Sequence, residues 1–190
     1  PPPPPPPPPP FFFLPPTPPP PMLRSLVGSE MCIRDRLYIT NSVQEEVGLR
    51  GAQMIVETIK PDVAIVTDVT HDTHTPMLNK IKQGDLKCGE GPVLYYGPAV
   101  QNNLLDLIIS SAEKNKIPFQ RGAASRATGT DTDAFAFATG GVASALISLP
   151  LRYMHTTVES VSKIDVKNVI LLIYNVLQKI KNNQDFRYLK

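Results

Sequence analysis

Two stretches of this chain, DVAIVTDV (62–69) and GVASALISLP (141–150), are apolar almost without interruption. A strand with one wet face alternates apolar and polar side chains, so a strand without that alternation is covered on both faces. Two such strands require a sheet with helices on either side. The segments between them supply the helices. GLRGAQMIVETIK (48–60) places Leu49, Ala52, Met54, Ile55 and Ile59 close to helical spacing, and Pro61 follows its end. NNLLDLIISSAEKNK (102–116) is amphipathic, with Asn102 or Asn103 as its expected cap. DVKNVILLIYNVLQKIKNN (165–183) is periodic throughout. LYITNSV (37–43), PVLYYG (92–97) and IPFQRGAA (117–124) read as further extended segments, and a loop is expected over 70–91. Past IPFQRGAA, a turn-rich SRATGTDTDAF (125–135) leads into a short helix. The expected fold class is α/β, a mostly parallel sheet flanked by helices.

The beginning of the chain cannot take part in such a sheet. Residues 1–21 hold 16 of the 22 prolines, and proline has no N–H to give to a ladder. Such a segment is extended polyproline or disordered, and could dock an aromatic groove. SLVGSEMCIRDR (25–36) reads as translated sequencing-adapter sequence. Residues 1–36 are therefore set apart as a Pro-rich, artefactual head, and residues 37–190 as the folding body.

Charge and cysteine content narrow the function. The 19 Lys and Arg nearly balance the 17 Asp and Glu, without a basic run, which argues against nucleic acid and anionic membranes as partners. Cys32 and Cys88 are far apart and lack metal-type spacing. A disulfide framework is not expected, which favours a reducing, cytoplasmic setting. No apolar run reaches the ~20 residues of a membrane span.

In open α/β sheets ligands bind beyond the carboxyl ends of strands. Glu45 and Glu46 follow the first expected strand, Asp68 closes the second, and His155 follows ALISLPL. Carboxylates and imidazole together suit zinc, cobalt or manganese. Of two adjacent glutamates, one can bind a metal while the other serves as general base. From composition and position alone, the same residues are read more readily as a solvated charge pair, a strand-ending aspartate and an ordinary loop histidine.

Five segments, VQEEVGLRGA (43–52), AIVTDVT (64–70), CGEGPVL (88–94), GTDTDAF (129–135) and ISLPLRYMHTTVE (147–159), occur in this order. Together they resemble the C-terminal part of the dinuclear-metal aminopeptidases. That family includes glutamyl, deblocking and TET aminopeptidases, some labelled cellulase. The resemblance, which runs from about Leu37 to Lys181, implies a zinc-aminopeptidase-like catalytic domain lacking its N-terminal part. It implies hydrolysis of N-terminal residues from peptides, with Glu45 as general base. It assigns Glu46 and His155 to one divalent ion, zinc or cobalt, and Asp68 to the other. Two further family ligands, a His-x-Asp histidine and a bridging aspartate, have no counterpart in this sequence. The chain alone is therefore expected to bind metal partially and to have little or no activity. The resemblance also implies a homo-oligomeric parent. Asp133 is expected to support the pocket or to cap a turn, His71 and His74 to line the cleft as loop residues, and Arg152 to orient its turn through backbone contacts. Two other readings remain open: a related zinc carboxypeptidase or deacylase, and a non-catalytic scaffold with a polyproline docking tail.

Overall fold

The computed structural model describes residues 37–181 and 184–187. The chain divides into two units, Pro1–Leu37 and Tyr38–Lys190. The expectations for residues 1–36 lie outside the described residues.

The second unit begins in irregular backbone and enters a short 3-10 turn, Glu45–Val47. Helix α1 (Arg50–Ile59) leads into strand β1 (Val63–His71), then the short helix α2 (Lys80–Gln83) and β2 (Val93–Tyr96). Helix α3 (Asn102–Lys114), β3 (Gln120–Ala123), α4 (Asp131–Ala136) and β4 (Ala143–Arg152) follow. A two-residue β5 (Ser160–Val161) and helix α5 (Lys163–Leu177) complete the order.

The sheet runs β1-β4-β2-β3, with β5 attached to β4. β1 pairs with β4 in parallel along its whole length, from Val63 opposite Ala143 to His71 opposite Leu151. β2 and β3 are also parallel. The two pairs are joined antiparallel by only Val93–Ser148 and Leu94–Ile147. The sheet is thus mixed, with its parallel pairings the more extensive. Pro150 has no N–H to donate and falls between the β4 residues paired to β2 and those paired to β5. That gap lets β4 continue through proline to Arg152 instead of ending at it.

Apolar packing lies on both faces, as the uninterrupted strands demand. One cluster gathers Leu94, Leu104, Leu105, Ile108, Ile147, Leu172 and Val176 from β2, β4, α3 and α5. A second gathers Ala52, Val56, Ala64, Phe135 and Val142 from α1, α4 and the strand starts.

Three local expectations are corrected. LYITNSV forms no strand: Leu37, Tyr38, Ile39 and Val43 are exposed and have no neighbouring strand. β-branched residues favour a pleated, half-buried surface, and without a partner that preference has nothing to act on. The cap of α3 is Gln101, whose side chain accepts from Leu104 N, not Asn102 or Asn103. The expected 70–91 loop is interrupted at its start by the end of β1 and in its middle by α2, which Asn79 caps.

Candidate metal and catalytic site

The Glu45–Glu46 turn is fixed by backbone geometry. Gln44 (φ 60°) and Leu49 (φ 56°) sit in the left-handed region on either side, a cost accepted only where the surroundings enforce it. Gly48 N and Leu49 N both donate to Glu45 O, at 3.2 and 3.0 Å. Gly51, in the first turn of α1, explains the close seating of this segment. A Cβ there would stand 2.4 Å from Val43 N, so only glycine lets the preceding chain lie on the helix. Gly51 N also donates to Val43 O at 2.9 Å.

Asp68 is the sixth residue of β1, so it projects from within the strand, and its Oδ1 accepts from Val69 N at 2.7 Å. His155 lies in the turn after β4, at φ 62°. Its backbone N–H donates to Glu159. Its Nε2 stands 3.1 Å from Glu46 Oε1, with both side chains mostly exposed. An exposed pair of this kind contributes at most about 1 kcal/mol, so stability alone does not account for the arrangement.

The four residues expected from sequence share one electrostatic neighbourhood. Glu45 is pushed above the usual carboxylate range by burial, then by the charges of Asp68, Glu46 and Asp131, against a small opposite pull from His155. Asp68 is pushed up chiefly by burial, opposed by the Val69 N–H, and further up by Asp131 and Glu46. Carboxylates crowded around a single imidazole are short of positive charge.

Asp131 is the acidic residue that sequence reading passed over in favour of Asp133. Ser42 Oγ donates to Asp131 Oδ2, while Asp131 Oδ1 is buried without a hydrogen-bond partner. Asp133 turns the other way, accepting from Thr128 N and Gly129 N at 3.1 and 3.0 Å. Residues two apart on a helix point in nearly opposite directions, so only one of the pair can face the site. That spacing was the available signal. His71 is the last residue of β1 rather than a loop residue, and His74 is held by Asp85 (2.8 Å) and Lys80 (2.9 Å) in an exposed cluster. The Arg152 guanidinium lies over the Tyr153 ring, 5.3 Å from its centroid, instead of meeting backbone.

Among the described residues no three His, Cys, Asp or Glu side chains form a group that could hold a metal ion. The assignment implied by the resemblance divides these donors two and one between two ions, so it requires no such group. The donor types suit a divalent cation, and the orphaned Asp131 oxygen with the mutually raised carboxylates is the local chemistry such a cation would relieve. Among the described residues no helix is long and apolar enough to cross a membrane.

Comparison with known proteins was consistent in direction. A family model described as M42 glutamyl aminopeptidase matches residues 22–172. Lysyl aminopeptidase of Pyrococcus furiosus is 39% identical over 145 residues, covering 76% of this chain and 41% of that protein. The TET aminopeptidase from the marine sediment archaeon Thaumarchaeota archaeon SCGC AB-539-E09 superposes with a TM-score of 0.67 at 32% identity, over 73% of this chain and 39% of its own. The Pyrococcus horikoshii TET1 peptidase, described as assembling into a tetrahedron or a large octahedral shell, gives a TM-score of 0.56 at 28% identity, over 72% of this chain and 39% of its own. The chain thus spans about two fifths of the length of these relatives.

Proposed function

The chain belongs to the M42 glutamyl aminopeptidase family, and from that premise we propose that it supplies the general base and three metal ligands of a peptidase that removes N-terminal residues from peptides. The observation that carries this reading is the meeting of the Glu45–Glu46 turn, Asp68 and His155 at one end of the β1–β4 pair, with Glu46 and His155 3.1 Å apart.

Glu46 and His155 would hold one divalent ion and Asp68 a second, zinc or cobalt in each case. When bound, the metal supplies a Lewis acid that makes water acidic enough to act as nucleophile. Glu45 takes the proton of the attacking water on a carboxylate oxygen and returns it to the departing amine. In the turn between Gln44 and Leu49, Glu45 is partly covered while Glu46 is exposed and 3.1 Å from His155, so the adjacent carboxylates can serve different atoms.

These residues provide two donors to one ion and one to the other. The 190-residue polypeptide alone is therefore expected to bind metal weakly and to have little or no peptidase activity. Peptides as substrates, a homo-oligomeric assembly and a cytoplasmic location belong to the same reading. The assemblies named for the Pyrococcus horikoshii relative and the two widely spaced cysteines support the latter two.

The test is a chimaera in which residues 37–187 replace the corresponding part of the Pyrococcus furiosus lysyl aminopeptidase. It is expected to release 4-nitroaniline from aminoacyl nitroanilides in a zinc- or cobalt-dependent manner. Glu45→Gln should lower kcat by roughly 10²- to 10⁴-fold, the usual contribution of a general base. A folded, metal-loaded chimaera with unchanged turnover after Glu45→Gln would remove the base from Glu45.

A further inference from the structure

Ser148 is a serine in a place that has no use for one. It lies in the interior of β4 at 1% exposure, and its Oγ has no hydrogen-bond partner. Ser144, two face-repeats earlier on the same strand, behaves as buried serines ordinarily do and donates to Val142 O at 3.1 Å. A buried hydroxyl left unpaired costs desolvation that alanine would avoid. The neighbours of Ser148 on its face of the sheet are Val93 across β2 and Leu146 and Pro150 along β4, whose side chains cannot accept a hydrogen bond. The remaining registered neighbour is Asp68, paired with Ser148 across the parallel β1–β4 ladder. Paired residues of adjacent strands point to the same face, about 5 Å apart.

We propose that Ser148 is a positioning residue for Asp68: with a divalent ion at the site, its hydroxyl donates to the Asp68 carboxylate and fixes which oxygen is presented to the ion. The inference rests on the metal-site reading above and deepens it. The carboxylate already has one local restraint, the Val69 N–H on Oδ1. That single bond leaves the group free to tilt about Cβ–Cγ. A second donor from the neighbouring strand removes the tilt, which is how partners behind a ligating carboxylate raise metal affinity. Ser148 touches neither substrate nor ion in this account. It acts through Asp68, and its hydroxyl is left unpaired until an ion orients the carboxylate toward it.

The experiment uses the 190-residue chain, with Co²⁺ as the probe, read by its visible absorption bands and by the ion-induced rise in melting temperature. Wild type, Ser148→Ala, Asp68→Asn and the double variant are compared in chelator and in a Co²⁺ titration. In chelator, Ser148→Ala is expected to melt at or above the wild-type temperature, because it removes a buried orphan. In Co²⁺ it is expected to bind 10- to 100-fold more weakly, the usual cost of losing such a partner. In the Asp68→Asn background the same change should have no further effect. Wild-type affinity in Ser148→Ala overturns the proposal, as does a lowered melting temperature in chelator or an undiminished effect without Asp68. A wild-type chain that shows no response to Co²⁺ also overturns this inference, since Asp68 then holds no ion for Ser148 to position, while the metal-site reading is tested separately by the chimaera.

Discussion

Asp68 shows how much a single residue depends on surroundings that its own motif does not record. Half-buried in β1, it stands among Glu45, Glu46 and Asp131, and both it and Glu45 hold their protons more tightly in the fold than in the open chain. Such groups stabilise the fold fully below the ordinary carboxylate pKa, and that contribution is lost as pH rises through the raised folded value. Asparagine at position 68 cannot titrate. In chelator, Asp68→Asn is therefore expected to gain stability relative to wild type as pH rises from about 4 to 7, measured by urea unfolding at each pH. A stability difference that stays constant with pH would show that Asp68 is not destabilised by its neighbours. The motif carried the identities of Glu45, Glu46, Asp68 and His155, because residue type and order are written in the chain. It did not distinguish Asp131 from Asp133, because that depends on which side of α4 meets β1 and on Ser42 reaching across from residue 42.

At the scale of elements, periodicity located helices and buried strands well, and the errors fell where a distant partner decides. Gln101 caps α3 although glutamine is not among the favoured capping residues. Its longer amide accepts from Leu104 N at 3.0 Å and also donates to Phe186 O, a contact 85 residues away. Both bonds are lost in Gln101→Ala, which is expected to cost about 1–2 kcal/mol in urea unfolding. A cost near zero would mean that Asn102 or Asn103 takes over the cap. LYITNSV failed as a strand for the complementary reason. Its composition satisfies β preference, but none of the described strands pairs with it.

For the molecule as a whole, the two apolar clusters are not independent. β1 contributes to both, with Ala64 in one, Val63 and Ile65 against the other and Val66 packed against each, so loss of either cluster exposes the same strand. Leu172, fully buried on α5, fills the larger cluster against β4 and α3. Leu172→Ala is expected to lower stability by about 2–5 kcal/mol in a single transition, with tyrosine fluorescence and far-ultraviolet circular dichroism changing together. Two separated transitions would show that the layers fold independently.

The sequence by itself determined the layered α/β class and the identities of the expected site residues. Uninterrupted apolar strands must be covered twice, and the carboxylates and imidazole must be present to act at all. Tertiary structure alone decided the antiparallel joint between β2 and β4, the route of β4 through Pro150, the choice of Asp131, and the placing of Ser148 beside Asp68. Each of these depends on which strand lies next to which. That is settled by long-range pairing and by the hydrogen bonds left over after it, neither of which a local stretch of residues encodes.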